Sequence, residues 1–176
     1  TDKRRMDASN IYSLNRIANK ETVEGGASLT YGTIFNKTNK ETNQDTLNFE
    51  IASLLRINEN PDLSTSSTIG KKMSDVFGNI ELYPNENLSL KYNFSIDNNF
   101  DKTNYDSIST KFKMNKFVTS FEYSDEKNNL INESFTSNSS SFEIDKNNSI
   151  NFNVRRNNEK SATEFYNLIY NYKNDC

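Results

Sequence analysis

The sequence predicts an all-β fold, an antiparallel meander of about nine strands belonging to a transmembrane β-barrel. Three observations carry that expectation. Twelve Phe and nine Tyr are spread among Asn, Ser, Lys and Glu instead of clustering. Apolar residues fall two apart in segment after segment, the spacing that places side chains on one face of a strand. Asn, Ser, Thr and aromatics, mediocre helix formers, fill most positions. A hydrophobic content of 33% alone suggests disorder, because little apolar burial cannot offset ordering entropy, but 12% aromatic residues argue against it.

In order along the chain, residues 7–18 read as irregular loop. The first strand spans 23–35, with Val23, Ala27, Leu29, Tyr31 and Phe35 marking it, and the second spans 47–57. The clearest hairpin follows. Val76, Gly78, Ile80 and Leu82 share one parity, Pro84 and Asn85 make the turn, and Leu88, Leu90, Tyr92, Phe94 and Ile96 share one parity again. Strands at 108–114 and 117–123 meet at Asn115-Lys116. A strand at 134–144 is interrupted by Asn138, Ser139, Ser140 and Ser141, and strands at 150–154 and 166–172 complete the set.

From Pro84 onward, short connections (84–87, 115–116, 145–148) alternate with longer ones (98–105, 124–132, 156–163), as in barrels with short periplasmic turns and longer outer loops. Upstream, 36–46 and 58–72 both read as long. Strand parity then puts Cys176 on the periplasmic side. No signal peptide is visible at Thr1, so the expectation is residues 1–176 as part of one incomplete outer-membrane barrel domain. Alternation alone also fits a secreted β-sandwich binding module, and composition also fits a generic porin or receptor barrel. Strand lengths near a tilted span, and a face that stays polar through Lys91, Lys111, Lys113, Asn151, Asn153 and Arg155, favour the barrel.

A net charge of -3 with both signs scattered gives no basic stripe for nucleic acid. With no His and one Cys, the chain offers no imidazole-based triad or metal site and no thiolate cluster, so neither an enzyme nor a cofactor is expected.

An ordered set of motifs carries a family resemblance. Residues 7–16 include Asn15-Arg16; Glu24-Gly25-Gly26 and Tyr31-Gly32 follow. Then come Asn60-Pro61-Asp62-Leu63-Ser64, the stretch Gly70 to Gly78 with Ser74-Asp75, and the hairpin Leu82-Tyr83-Pro84-Asn85 with Leu88 to Tyr92. Phe165 to Tyr170 and Asn174-Asp175-Cys176 close the set. Together they resemble the carboxy-terminal barrel of the LptD (OstA) lipopolysaccharide-assembly family, over nearly the whole chain. The resemblance implies a translocon in the Gram-negative outer membrane, embedded in outer-membrane lipid, that inserts lipopolysaccharide into the outer leaflet. It also implies a plug lipoprotein of the LptE type and a periplasmic jellyroll domain of the same protein as partners. It further implies a disulfide from Cys176 to the amino-terminal region, although Asp175 stands where some members have a second cysteine.

The remaining candidates carry two readings each. Asn15, Arg16 and Asp75 are either pins for outer loops or, the preferred reading, solvated loop residues. Gly25, Gly26, Gly32 and Gly78 read as bends or bulges, with close approach of an inserted partner as the alternative. Lys91, Lys111, Lys113 and Arg155 either meet phosphates or line a solvated wall. Tyr83, Tyr92, Tyr123, Tyr166, Tyr170 and Tyr172 are girdle candidates.

Overall fold

The computed structural model describes residues 6–13, 16, 24–63, 68–127 and 132–174. These form one antiparallel sheet whose nine strands lie in sequence order. They are β1 (Ser28–Asn39), β2 (Gln44–Arg56), β3 (Val76–Asn85), β4 (Leu88–Ile96), β5 (Thr103–Met114), β6 (Phe117–Lys127), β7 (Asn132–Glu143), β8 (Asn148–Asn157) and β9 (Ala162–Tyr172). No α-helix occurs among the described residues, which include a single 3-10 turn at Thr68–Gly70. β1 and β9 are edges, and the sheet is open between them.

The expected strands are found, with corrections to the connections. β6 continues through 124–127, and the 156–163 connection shrinks to 158–161, no longer than the turn at 144–147. β7 runs unbroken through Asn138 to Ser141 because backbone pairing, not side-chain pattern, holds it. Residues 36–46 are not a long connection: β1 and β2 stay paired through them, with one register shift at Lys37/Thr38, and leave only 40–43 as turn. Thr, Asn and Lys there are compatible with a strand whose two faces are both wet near its end. Asn43 closes that turn at φ 52° and Asn115 opens the next-but-one at φ 49°, left-handed positions that Asn tolerates. Val23, expected to open the first strand, lies outside the described residues.

The connections segregate by end. Turns 40–43, 86–87, 115–116 and 144–147 share one end, and connections 57–75, 97–102 and 158–161 share the other. Asp145 builds the last short turn: its carboxylate accepts from the Asn147 amide at 2.8 Å and from Asn148. These bonds, the Asn147 amide first, hold the Asp145 carboxyl below the usual carboxylate range.

Register fixes two faces. One rung reads Phe35, Phe49, Ile80, Tyr92, Ile108 and Tyr123 across β1 to β6, all on one side. This face is left open. Leu29 and Leu168 are 62% and 72% exposed, and Tyr92, Ile108, Phe121, Phe142 and Phe152 are exposed along it. No second sheet covers it among the described residues, as a sandwich would require.

The core lies on the opposite face. Met6, Ile11, Leu63 and Ile69, from the segment before β1 and the long 57–75 connection, pack on Ala52, Leu54 and Phe77. Both segments fold onto the polar side of β1 to β3. The apolar stripe of this sheet is therefore exposed, and the buried cluster is built from residues that break the polar face.

Candidate functional site on the polar face

Arg56 ends β2 on the polar face and is 1% exposed. Its guanidinium donates to the carbonyl of Ile69 at 2.6 Å and of Gly25 at 3.0 Å, and ion-pairs with Glu24 Oε1. Arg16 reaches the same oxygen from the other side. It also donates to the Ile11 carbonyl at 2.6 Å and to Thr30 Oγ1 at 2.9 Å. Two guanidinium groups thus share one buried carboxylate, each satisfied by further carbonyl or hydroxyl acceptors, which is the condition for keeping such charges buried. Glu24 Oε2, also buried, has no hydrogen-bond partner among the described residues.

A second polar group sits where the long connection enters β3. The Asp75 carboxylate, in a residue 5% exposed, accepts from Ser95 Oγ at 2.8 Å and Asn104 Nδ2 at 2.9 Å. Its amide donates to Thr68 Oγ1 at 2.8 Å. Beside it Ser74 is fully buried: its amide donates to the Leu54 carbonyl, and its hydroxyl accepts from the Leu54 amide at 2.9 Å. Asp75 thereby ties the 57–75 connection to β4 and to the start of β5.

The glycines act through space. A Cβ on Gly32 would overlap the Tyr12 hydroxyl and the Ile51 carbonyl, and one on Gly78 would overlap the Phe94 ring. The expected bulges are absent at both, since the ladder runs unbroken there; the register shifts fall at Lys37/Thr38, Leu82/Asn85, Ser95/Ile96 and Arg155/Arg156. A strand glycine here seats an aromatic group from its own chain. Gly26, at φ +87°, takes a backbone conformation that L side chains rarely adopt, beside Arg56.

Asp75 is therefore buried and Arg16 largely so, both multiply bonded and not solvated, while Asn15 and Cys176 lie outside the described residues. Lys91 pairs with Glu81 at 2.6 Å and is half exposed. It borders a cavity of about 450 Å³ with Asp7, Glu50, Asn79 and Asn93, beneath the inserted segment. Arg155 lies 3.8 Å over the Phe135 ring and 3.1 Å from Glu164. Lys111 and Lys113 are exposed on the polar face. Of the tyrosines, Tyr92, Tyr123, Tyr166, Tyr170 and Tyr172 share the apolar face by register. Tyr83 does not, and donates to Glu81 at 2.7 Å. Tyr12 lies in the inserted segment, and burial first, then the Glu50 carboxylate, pushes its hydroxyl up.

Arg56 was not singled out from the sequence, and Glu24 only as part of a motif. The available signal was a lapse of alternation at Ile51-Ala52-Ser53-Leu54-Leu55, where apolar residues occupy both faces.

The fold defines an all-β antiparallel meander that leaves one apolar face uncovered and folds its leading segment and its 57–75 connection onto the polar face. Residues 1–172 match the family model LptD, LPS transport system D, and the chain belongs to that family. The family serves lipopolysaccharide transport and assembly at the outer membrane, and its members are transport components. No curated protein matches the chain.

Proposed function

We propose that this sheet is a section of an outer-membrane barrel wall, with its apolar face against lipid and its polar face toward the lumen, in a translocon that inserts lipopolysaccharide into the outer leaflet. The observation that carries the reading is the exposed apolar face running across all nine strands, opposite a face that receives the loops. Soluble proteins rarely expose apolar patches beyond a few hundred Å². Strands of 9 to 13 residues suit tilted crossings of a hydrocarbon layer. In water such a sheet would aggregate; in lipid the same face is its solvent.

On this reading the short-turn end is periplasmic. β9 ends there at Tyr172, and Cys176, four residues on in the sequence, pairs with a cysteine of the amino-terminal region. On the polar face Ser109, Ser120, Ser139 and Asn153 border an open cleft of about 650 Å³, a surface suited to a plug lipoprotein of the LptE type. A periplasmic jellyroll domain of the same protein delivers the lipid.

The test is alternate-residue labelling of the full-length protein in cells. Cysteines placed one at a time at Tyr92, Asn93, Phe94, Ile108 and Ser109 are challenged with a membrane-impermeant maleimide. Reactivity at Asn93 and Ser109 with protection at Tyr92, Phe94 and Ile108 supports the wall. Equal reactivity on both parities, or recovery of the protein in the soluble fraction, overturns it. Non-reducing gels of wild type and Cys176→Ser test the disulfide: the expected mobility difference disappears in the variant.

A further inference from the structure

We infer that residues 6–13, 16 and 24–27 before β1 and residues 57–63 and 68–75 of the long connection form one interlocked plug that leaves the polar face as a unit, with the Glu24–Arg56 ion pair as its latch. The inference rests on the wall reading for the meaning of the plugged face, but its geometry stands without it.

Arg56 is the only residue among those described that bonds both segments and the sheet at once. Its backbone belongs to β2, and its amide donates to the Lys72 carbonyl at 2.8 Å. Its side chain holds Ile69 of the long connection and both Gly25 and Glu24 of the leading segment. Glu24 then passes the connection to Arg16, which holds the Ile11 carbonyl and Thr30 of β1. Ile11, Leu63 and Ile69 meet in one apolar cluster above Ala52, Leu54 and Phe77.

Opening either segment alone has a defined penalty. If the leading segment lifts away, Arg56 stays buried against Ile69 with its carboxylate gone. If the long connection lifts away, the apolar side of Ile11 is bared while the ion pair holds it down. An unpaired buried charge is the costlier state, so both segments release together when the pair breaks. Glu24 thereby controls whether the polar face over β1 to β3 is closed.

The experiment uses the full-length protein in outer membranes, carrying Ile11→Cys or Ile69→Cys, residues 0% and 4% exposed. Reaction with a membrane-impermeant maleimide is followed peptide by peptide, so native cysteines stay in place. Glu24→Gln, a change confined to the leading segment, is expected to raise the reaction rate at both positions on the order of tenfold. A rise at Ile11→Cys with none at Ile69→Cys overturns the interlock. Should Glu24→Gln fail to assemble, the two reporters are compared with Glu24 intact in stepwise urea. Coincident midpoints support a single unit and separated midpoints overturn it. Fractionation of the same cells reads the location, so failure of the wall reading is seen apart from failure of the latch.

Discussion

Replacing Asp75 tests how firmly the long connection is tied to the sheet. Its carboxylate accepts from Ser95 at 2.8 Å and Asn104 at 2.9 Å, and Ser95 is 4% exposed, so that donor has no water waiting as a substitute, while Asn104 is half-buried. Hydrogen bonds to a charged group are worth about 1.5–3 kcal/mol each; two of them, less the recovered burial cost of the carboxylate, leave a net of about 3 kcal/mol for Asp75→Ala. That corresponds to roughly a hundredfold in local opening. Asp75→Asn keeps an acceptor oxygen and is expected to lose about 1 kcal/mol, severalfold to tenfold. The reporters are two amides that close the loop onto β2: Arg56 N–H on the Lys72 carbonyl at 2.8 Å and Ser74 N–H on the Leu54 carbonyl at 2.9 Å. Hydrogen exchange of peptides covering them, in the reconstituted full-length protein, should accelerate in the order Ala, Asn, wild type, with turns 86–87 and 115–116 unchanged. Exchange in Asp75→Ala within about twofold of wild type would refute the reasoning, since the carboxylate would then be carrying no local stability.

Three further predictions follow from the faces and turns. Tyr92→Lys puts a charge at the middle of β4 on the apolar face and should cost about 2–4 kcal/mol of folding free energy in vesicles, while Ser109→Lys, on the polar face of the neighbouring β5 beside an open cleft, should cost close to nothing; equal costs refute the assignment of faces. Gly78→Ala should destabilise by about 1–3 kcal/mol because its methyl group enters the Phe94 ring, and Phe94→Leu in the same chain should restore at least half of the loss. A double variant no better than the single one would show that the ring is not the obstacle. Asp145 has its carboxyl lowered in the folded turn, so its contribution is present above the unfolded value of about 4 and is lost as pH falls through the folded value. The urea-stability gap between wild type and Asp145→Ala should therefore be full near about pH 6 and close toward about pH 3, and a gap independent of pH removes the carboxylate from the explanation.

What was legible in the sequence was whatever depends on a period of two. The β3–β4 hairpin could be read residue by residue because Val76 to Leu82 and Leu88 to Ile96 alternate cleanly around Pro84-Asn85. The run from residue 36 to 46 was misread as loop because Asn, Lys and Thr there give neither face an apolar mark; backbone pairing with β2, not side-chain pattern, keeps it extended. The polar site was less legible for a different reason. Arg16, Glu24, Arg56 and Asp75 become neighbours only when two segments fold back over β1 to β3, and nothing local distinguishes an arginine at a strand end that faces solvent from one roofed by a distant carbonyl. The glycines were legible as special positions but not as seats for Tyr12 and Phe94, since the ring above each comes from another element.

The strand least like its neighbours is also informative. β7 carries Phe142 as its one apolar side chain on the apolar face and then Ser140, Asn138, Thr136 and Ser134 in succession. On a wall facing lipid, each unpaired polar group would be costly. The side chains resolve this among themselves. Ser140 donates its single hydroxyl proton to Asn138 Oδ1 at 3.0 Å, so the 2.8 Å contact between Thr119 and Ser140 has Thr119 as donor. Asn138 Nδ2 in turn donates to Thr119 Oγ1 at 3.0 Å and to the Ser120 carbonyl at 2.9 Å. The three residues close a ring in which every proton has an acceptor, and the ring is flanked by Phe121 and Phe152 on the adjoining strands. Higher on the same strand, Asn158 donates to Ser134 and Thr136 from the connection beyond β8. A segment whose composition argues against burial in an apolar environment thus satisfies its polar groups internally, which is what the proposed wall requires at the place where its sequence looks least suited to it.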